Sequence, residues 1–314
     1  MTHETLDLAI IGGGPAGLSA AVEAASLGIR RLALFERETE AGGAVRHCGH
    51  WGFGMLDLGR VTTGPTYAAA LRAAAHSIDV RLSHAVTAID PEGRLSVSTP
   101  AGPLSVAARR VLLATGIREL PRAGRMVSGG RPFGILTTGA LQRFVYLHGR
   151  IPCRRPVIVG TELVSFSTLL TLRHAGVRPV ALLGEARRPS APPGVTTTAR
   201  LLFGVPVRLG VSIVGIEGQR TVEGITIEDG RGRETVPCDA VVFTGRWVPE
   251  ASLMRTHPAG VDGVTQGPVV DETLRTGDPA LYAAGNVRFG VRSSGACALD
   301  GVRAARQIAR DLLG

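Results

Sequence analysis

A chain of 314 residues with 44% hydrophobic side chains, 42 glycines and a formal charge of +9 has length for about two globular domains. Its basic residues are all arginine and none is lysine, which excludes Schiff-base and P-loop-lysine chemistry. The arginines are scattered, aromatics make up 4%, and no apolar run reaches 18 residues, so neither a nucleic-acid stacking platform nor a membrane span is expected.

In chain order, the run Leu6–Ile11 reads as a buried strand that feeds Gly12-Gly13-Gly14-Pro15-Ala16-Gly17 and then an Ala-rich helix. A second apolar run, Leu32–Phe35, ends on Glu36, 24 positions after Gly12. Strand, glycine turn, helix, strand and acid in this register form the βαβ dinucleotide fingerprint. Gly12 permits the tight turn, Gly14 lets a pyrophosphate approach bare backbone, and Gly17 lets helix and strand pack closely. Pro15 and Ala16 open the helix, whose N-terminus presents N–H groups to the phosphates. Glu36, followed by Arg37, is placed to accept the ribose hydroxyls of an ADP-containing dinucleotide.

Beyond Gly42-Gly43 lies a loop rich in glycine and histidine, Arg46-His47-Cys48-Gly49-His50-Trp51, then a helix near Pro65–His76. The loop has two readings: Arg46, His47 and His50 contact a cofactor, or the segment is packed by its glycines and Trp51. Its spacing matches no standard metal site, and no metal is expected. Short strands follow near 80–82, 95–98 and 104–106, and Val111–Gly116 reads as a buried strand ending in a turn. A Pro-, Gly- and Arg-rich connection leads to a second strand–turn–helix–strand unit over 156–184, with further strands to Val242. Leu281–Asn286 is a strand and turn, and the last helix runs to Leu313. Ser293-Ser294-Gly295 opens that helix, either as an ordinary serine cap or as a cofactor contact. His148, His174 and His257 sit alone among apolar or loop residues and read as structural, while Trp247 packs beside Pro249 in a turn.

The second unit departs from the template. Gly160 fills the first glycine position, but Glu162 stands at the second, Ser165 at the third, and Ser167 replaces an acid. A side chain at the second position blocks the pyrophosphate, and a carboxylate repels it. A carboxylate at a helix N-terminus is itself favourable by about 0.3–1 kcal/mol, so Glu162 is expected to stabilise its helix in the phosphate's place. Arg187 and Arg188 then read as a solvated loop, and NAD(P)H binding is expected to be lost with the fold retained. The four cysteines (Cys48, Cys153, Cys238, Cys297) form no CxxC or CxxxxC pair, so reduced thiols are expected instead of a redox disulfide. Cys48 lacks a clear base partner, and Cys297 reads as a small core residue. No Ser-His-Asp set, carboxylate pair or acid–base constellation commits the chain to a substrate, so no catalytic residue is assigned.

GGGPAG with Glu36, LLATG at 112–116, FTGRWVP at 243–249 and LYAAGN at 281–286 together resemble the flavoprotein family with two dinucleotide-binding domains. The resemblance implies an α/β fold of two Rossmann-like three-layer domains, the second inserted in the first. The boundaries are 1–120 and 266–314 for the FAD-binding domain and 121–265 for the inserted NAD(P)-type domain. It further implies cofactor contacts from Gly43, Arg46 and His47, from Ala114, Thr115 and Gly116, from Gly285 and Asn286, and from Ser294. The family's Gly-Asp at the C-terminal strand is Gly285-Asn286 here, which keeps hydrogen bonding but removes a charge.

A narrower resemblance rests on GGAVRHCGHWGFG, RPFGILTTGALQ, VGTELVSFSTLLTLRHAG and AAGNV. These are similar to a branch that includes subunits of opine oxidases, hydrogen cyanide synthase, dye-linked proline dehydrogenases and heteromeric sarcosine oxidase. The branch implies an FAD-dependent oxidoreductase subunit of an amine or amino-acid dehydrogenase or oxidase, with an electron-transfer role. Its partners would be a second flavoprotein dehydrogenase subunit and an iron–sulfur subunit. The Cys-rich extension of longer relatives has no counterpart before Gly314, so an iron–sulfur centre is expected elsewhere. Two rival readings remain: a self-contained NAD(P)H-dependent flavin reductase, and a non-catalytic nucleotide-binding scaffold subunit. A chain that enters its first strand by residue 6 is expected to lack a signal peptide and to be cytoplasmic.

Overall fold

In the computed structural model the described residues are 4–190, 195–288 and 290–314. They contain the helices α1 (Pro15–Ser26), α2 (Gly64–Ala74), α3 (Thr138–Gln142), α4 (Leu163–His174), α5 (Val195–Phe203) and α6 (Ser294–Leu313). The chain folds as two compact units. The first comprises residues up to Arg46, Trp51–Arg118 and Trp247–Gly314; the second comprises His47–His50 and Glu119–Arg246. Residues 247–265, expected with the inserted domain, fall in the first unit, where Ala251 and Met254 join its core.

In the first unit, strands Asp79–Leu82, Leu32–Glu36, Glu4–Ile11 and Gly102–Leu113 lie side by side in parallel. The twelve-residue strand Gly102–Leu113 covers two segments that the sequence suggested separately, and it forks. Its first half pairs antiparallel with Arg94–Thr99, which continues to Ala85–Asp90; its last residues pair in parallel with Leu281–Ala283. Period-two alternation builds the layers. Leu8, Ile10, Leu34, Leu112 and Tyr282 face the helices, whereas Ala9, Ile11, Phe35, Leu113 and Ala283 face the other side with Leu95 and Val97. The register Ile11↔Phe35, Ile11↔Leu113 and Ala283↔Leu113 brings four strand ends to one carboxyl edge. That edge carries Gly12, Glu36, Ala114 and Gly285, which is where an open parallel sheet holds its ligand.

The second unit has a five-stranded parallel sheet in the order Ile135–Thr137, Ala240–Phe243, Pro156–Val159, Ala181–Gly184, Val207–Leu209. Ile158, Leu182 and Val242 pack on Leu141 of α3 and on Leu169 and Leu172 of α4. Val157, Leu183 and Phe243 pack on Ile216, Ile225 and Ile227 of a four-stranded sheet. Each unit is thus a three-layer α/β assembly with helices on one face of its parallel sheet. Among the described residues, no helix is long and apolar enough to cross a membrane.

Candidate functional site

The turn after Glu4–Ile11 is shaped by three glycines for different reasons. Gly12 has φ +106°, and a Cβ there would lie 2.6 Å from the Ala114 carbonyl oxygen. A Cβ at Gly17 would overlap the Gly12 oxygen, so only glycine lets α1 start this close to the strand. Gly14, the N-cap of α1, is different: a Cβ there would meet nothing nearer than Gly43 Cα at 4.0 Å. No side chain caps α1, and Pro15 at its start has no N–H to satisfy. Open space beside an uncapped helix N-terminus suits an anion.

Glu36 is buried at the end of its strand, where Oε2 accepts the Gly13 N–H and Oε1 the Glu38 N–H, each at 2.8 Å. Both bonds fix the carboxylate in place and leave each oxygen a further lone pair for a hydroxyl donor. Arg37 is exposed. Gly43 has φ +63°, and a Cβ on it would lie 2.9 Å from Gly14 Cα, so this loop rests on the glycine turn. Arg46 is nine-tenths buried; its guanidinium lies 3.1 Å from Glu40 and 3.7 Å from Glu38, and its Nε has no partner. A buried cationic donor left open beside the turn fits a phosphate-bearing group.

Ala114, Thr115 and Gly116 follow the forked strand. Thr115 donates its hydroxyl to the Glu250 oxygen at 2.7 Å, and the Gly116 oxygen accepts the Glu250 N–H at 2.9 Å, so this turn clasps a returning segment. Gly285 has φ +76° and donates its N–H to Asp300 on α6 at 2.7 Å. Asn286 is turned toward Arg292: its Oδ1 accepts the Arg292 N–H at 2.8 Å and its Nδ2 donates to the Arg292 oxygen at 3.2 Å. The carboxylate under this turn is Asp300, buried on α6 and also paired with Arg288 at 2.9 Å. Sequence reading missed Asp300 because it lies a full helical turn inside a polar-looking helix.

The cap of α6 is Ser293, whose Oγ accepts the Ala296 N–H at 3.3 Å. Ser294, the first helical residue, hydrogen-bonds the Tyr67 phenol, which donates to Asp57 Oδ2 at 2.6 Å. Burial foremost, then this bond to Asp57, pushes the Tyr67 phenol well above its ordinary range. Asp57 Oδ1 is buried without a partner, 2.9 Å from where a Cβ on Gly295 would stand.

His47 belongs to the second unit, apart from its neighbour Arg46. Its Nδ1 lies 3.4 Å from Gln142 Oε1, and the Cys48 thiol donates to the same oxygen at 3.5 Å. Gln142 passes the network on, donating to Ser167 at 2.8 Å. Burial, then the nearby Glu119 charge, raises the Cys48 thiol to about 12. Burial likewise raises Glu119, although its Oε2 accepts the Gly139 N–H at 2.7 Å. Gln142 and Glu119 carried no sequence signal: Gln142 ends the five-residue helix α3 and Glu119 ends the short strand Ile117–Glu119. Among the described residues no group of three His, Cys, Asp or Glu is placed to hold a metal.

In the second fingerprint Glu162 is the N-cap of α4, yet its side chain makes no bond to the helix's first turn. It turns back instead. Oε2 accepts the Thr161 N–H at 3.0 Å, and Oε1 accepts the Thr244 hydroxyl. The carboxylate thus stands at the α4 N-terminus without a hydrogen bond to the first turn. Ser165 is buried and donates its hydroxyl to the Glu162 oxygen at 2.6 Å.

The family model for pyridine nucleotide-disulphide oxidoreductases matches residues 6–308. The chain belongs to that family. Membership makes it an FAD-dependent oxidoreductase, and the open Gly14, the pinned Glu36 and the orphaned Arg46 donor fit such a cofactor. Unlike the family name, the described residues show no disulfide: Cys153, Cys238 and Cys297 are buried, and burial raises them to about 12, 11 and 11. It is 26% identical to an opine oxidase subunit of Agrobacterium tumefaciens strain Ach5, over 98% of this chain and 66% of that one. It is 30% identical to the alpha subunit of the sarcosine oxidase of Rhizobium meliloti strain 1021, over 77% of this chain and 24% of that one. The chain thus spans less than two thirds of these relatives. Among solved structures, thioredoxin reductase of T. acidophilum shares the fold with a TM-score of 0.83 at 22% identity, covering 99% of this oxidoreductase and 100% of that protein.

Proposed function

We propose that this oxidoreductase is the FAD-carrying subunit of a heteromeric amine or amino-acid dehydrogenase or oxidase, acting on substrates of the opine, proline or sarcosine kind. It transfers electrons, while substrate selection resides in a second flavoprotein subunit; an iron–sulfur subunit is a further partner. The observation that carries the reading is the contrast between the two fingerprints: Gly14 is open where Glu162 is filled. The names of the opine and sarcosine oxidase relatives support the substrate class.

In this reading Glu36 accepts the ribose hydroxyls, and the α1 N-terminus and Arg46 take the pyrophosphate. Gly43, Ala114 and Gly285 supply close backbone without side-chain obstruction. FAD supplies the redox chemistry; the chain binds and orients it. Its thiols stay protonated and take no part.

The test is an anaerobic visible spectrum of the purified chain before and after NADH and then NADPH. A yellow protein that stays oxidised with both nucleotides, and with sarcosine, proline or an opine, is the expected result. Rapid bleaching by either nucleotide refutes the reading in favour of a self-contained reductase.

A further inference from the structure

Gly14 and Glu162 are equivalent residues of two like turns. Gly14 caps α1 with φ −80° and ψ −174°; Glu162 caps α4 with φ −84° and ψ 175°. Gly12 and Gly160, two residues before each, both have positive φ, +106° and +142°. The backbone of the phosphate-binding turn is therefore present in the second unit. Only the contents of the turn differ.

Those contents come from the chain itself. The Glu162 carboxylate holds the Thr161 N–H with one oxygen and the Thr244 hydroxyl with the other. A Cβ at Gly160 would meet the two carboxylate oxygens at 2.9 and 3.0 Å, and one at Gly245 would meet Oε1 at 2.6 Å. Bare backbone on both strand ends is what an anion needs in order to approach, and here the anion is a side chain. Arg125 braces the far wall, donating to the Thr244 and Gly245 oxygens at 2.8 and 2.7 Å while lying over the Phe243 ring. Its charge and that of Glu162 attract each other. No side chain caps α4, so its dipole also acts on the carboxylate.

We infer that the Glu162 carboxylate is a resident anion in an otherwise formed phosphate seat, and that it closes the second unit to pyridine dinucleotides by filling the space beside the bare backbone of Gly160 and Gly245. This rests on the reading above, in which the second unit takes no NAD(P)H. It goes further by locating the exclusion in one side chain and treating the seat as recoverable. A degraded site would have lost its turn; this one keeps the turn and fills it.

The test uses the full FAD-loaded chain and its Glu162→Gly, Glu162→Ala and Glu162→Gln variants, titrated with NADH, NADPH and ADP-ribose by calorimetry. Thermal melts establish that each variant is folded, and Ala retains N-cap geometry should Gly loosen the turn. Wild type is expected to show no saturable binding. Gly and Ala are expected to bind at least about tenfold more tightly, since the carboxylate no longer fills the space at the head of α4. Gln fills the same volume and still accepts the Thr161 N–H, so it is expected to stay closed. Folded Gly and Ala variants that bind no better than wild type overturn the inference and leave the proposed function standing. Binding by Gln equal to that of Gly also overturns it, because charge repulsion would then explain the exclusion without occupancy. Tight binding or flavin bleaching in wild type overturns both readings, and is recognised as such from the wild-type arm alone.

Discussion

Gly301→Ala should destabilise the first unit, against the usual sign for glycine in a helix. Gly301 lies inside α6, where replacing glycine by alanine ordinarily stabilises by about 1 kcal/mol through helix propensity. Here a Cβ would lie 2.8 Å from the Ala16 carbonyl carbon and 2.9 Å from its Cα, and would overlap the Ala16 oxygen. All three atoms are backbone of α1, so no rotamer change relieves the contact. Carbon atoms rest about 3.5–4.0 Å apart, so α6 must retreat by roughly 1 Å. A gap of that size forfeits about a quarter to a half of each dispersion contact across the interface, which Ala304, Ala305 and Ile308 share with Leu18, Ala20 and Ala21. Overpacking of this kind costs about 1–3 kcal/mol, occasionally more. Taking the upper part of that range and subtracting the propensity gain leaves a net loss of roughly 1–2 kcal/mol. For a unit of this size the midpoint should fall by roughly 2–8 °C in a thermal melt followed by circular dichroism. FAD retention should weaken as well, because the displaced residue adjoins Pro15 at the head of α1. Gly139→Ala in α3, where a Cβ meets nothing nearer than 3.4 Å, serves as the control and should be nearly neutral. A Gly301→Ala chain that melts at or above the wild-type temperature would show that α1 and α6 are not in backbone contact.

Glu36→Ala removes the acceptor of two backbone N–H groups as well as the proposed ribose contact, and should weaken FAD retention by about tenfold to a hundredfold. Flavin fluorescence after gel filtration reads this, and unchanged retention would place the nucleotide elsewhere. The thiols, raised by burial to between about 11 and 12, should ionise negligibly at about pH 8, so iodoacetamide should label the native chain far more slowly than the unfolded one. Anaerobic dithionite titration should accordingly consume about two electrons per FAD; uptake of about four would reveal a redox disulfide. Glu119 has its folded pKa raised by burial above the ordinary 4.5, so its contribution to stability is present below that pH and is lost as pH rises through the folded value. Glu119→Gln removes this slope, and its urea stability relative to wild type should climb with pH over that window and then level off. A constant difference from about pH 4 to about pH 8 would mean that Glu119 does not titrate on folding.

The parts of the molecule legible in sequence are those that depend on short-range backbone demands. Gly12, Gly14, Gly17 and Glu36 could be assigned roles because turn, helix start and strand end are local, and the parallel sheet follows from alternating burial along each strand. The second fingerprint was legible for the same reason, but only as an obstruction. Sequence could not show that Glu162 would turn back to Thr161 and Thr244, because Thr244 arrives from a strand 82 residues away. At the C-terminal turn, both ends of the Asn286 amide bond the Arg292 backbone, and Ser293, not Ser294, caps α6. The α4 stripe Ser165, Thr168 and Thr171 resembles a solvated face, yet all three are buried, with Thr168 at 2.9 Å from Thr138 and Thr171 near Gln142. A polar residue at helical spacing does not reveal whether water or another hydroxyl satisfies it.

The two fingerprints also constrain how electrons would move on the proposed reading. A member of this family that reduces a disulphide with a pyridine nucleotide needs an open second seat and a pair of exchangeable thiols. This chain has Glu162 in the seat, and its four cysteines form no disulfide and are raised beyond ordinary reactivity. Neither end of that electron path is present within the described residues. On the proposed reading, electrons reach the flavin from a partner subunit and leave to another acceptor. It follows that Glu162→Gly alone would open a nucleotide seat without making a disulphide reductase, since no thiol pair would receive the electrons. Separating the two losses by that variant distinguishes a dedicated electron-transfer subunit from a reductase that has merely lost one residue.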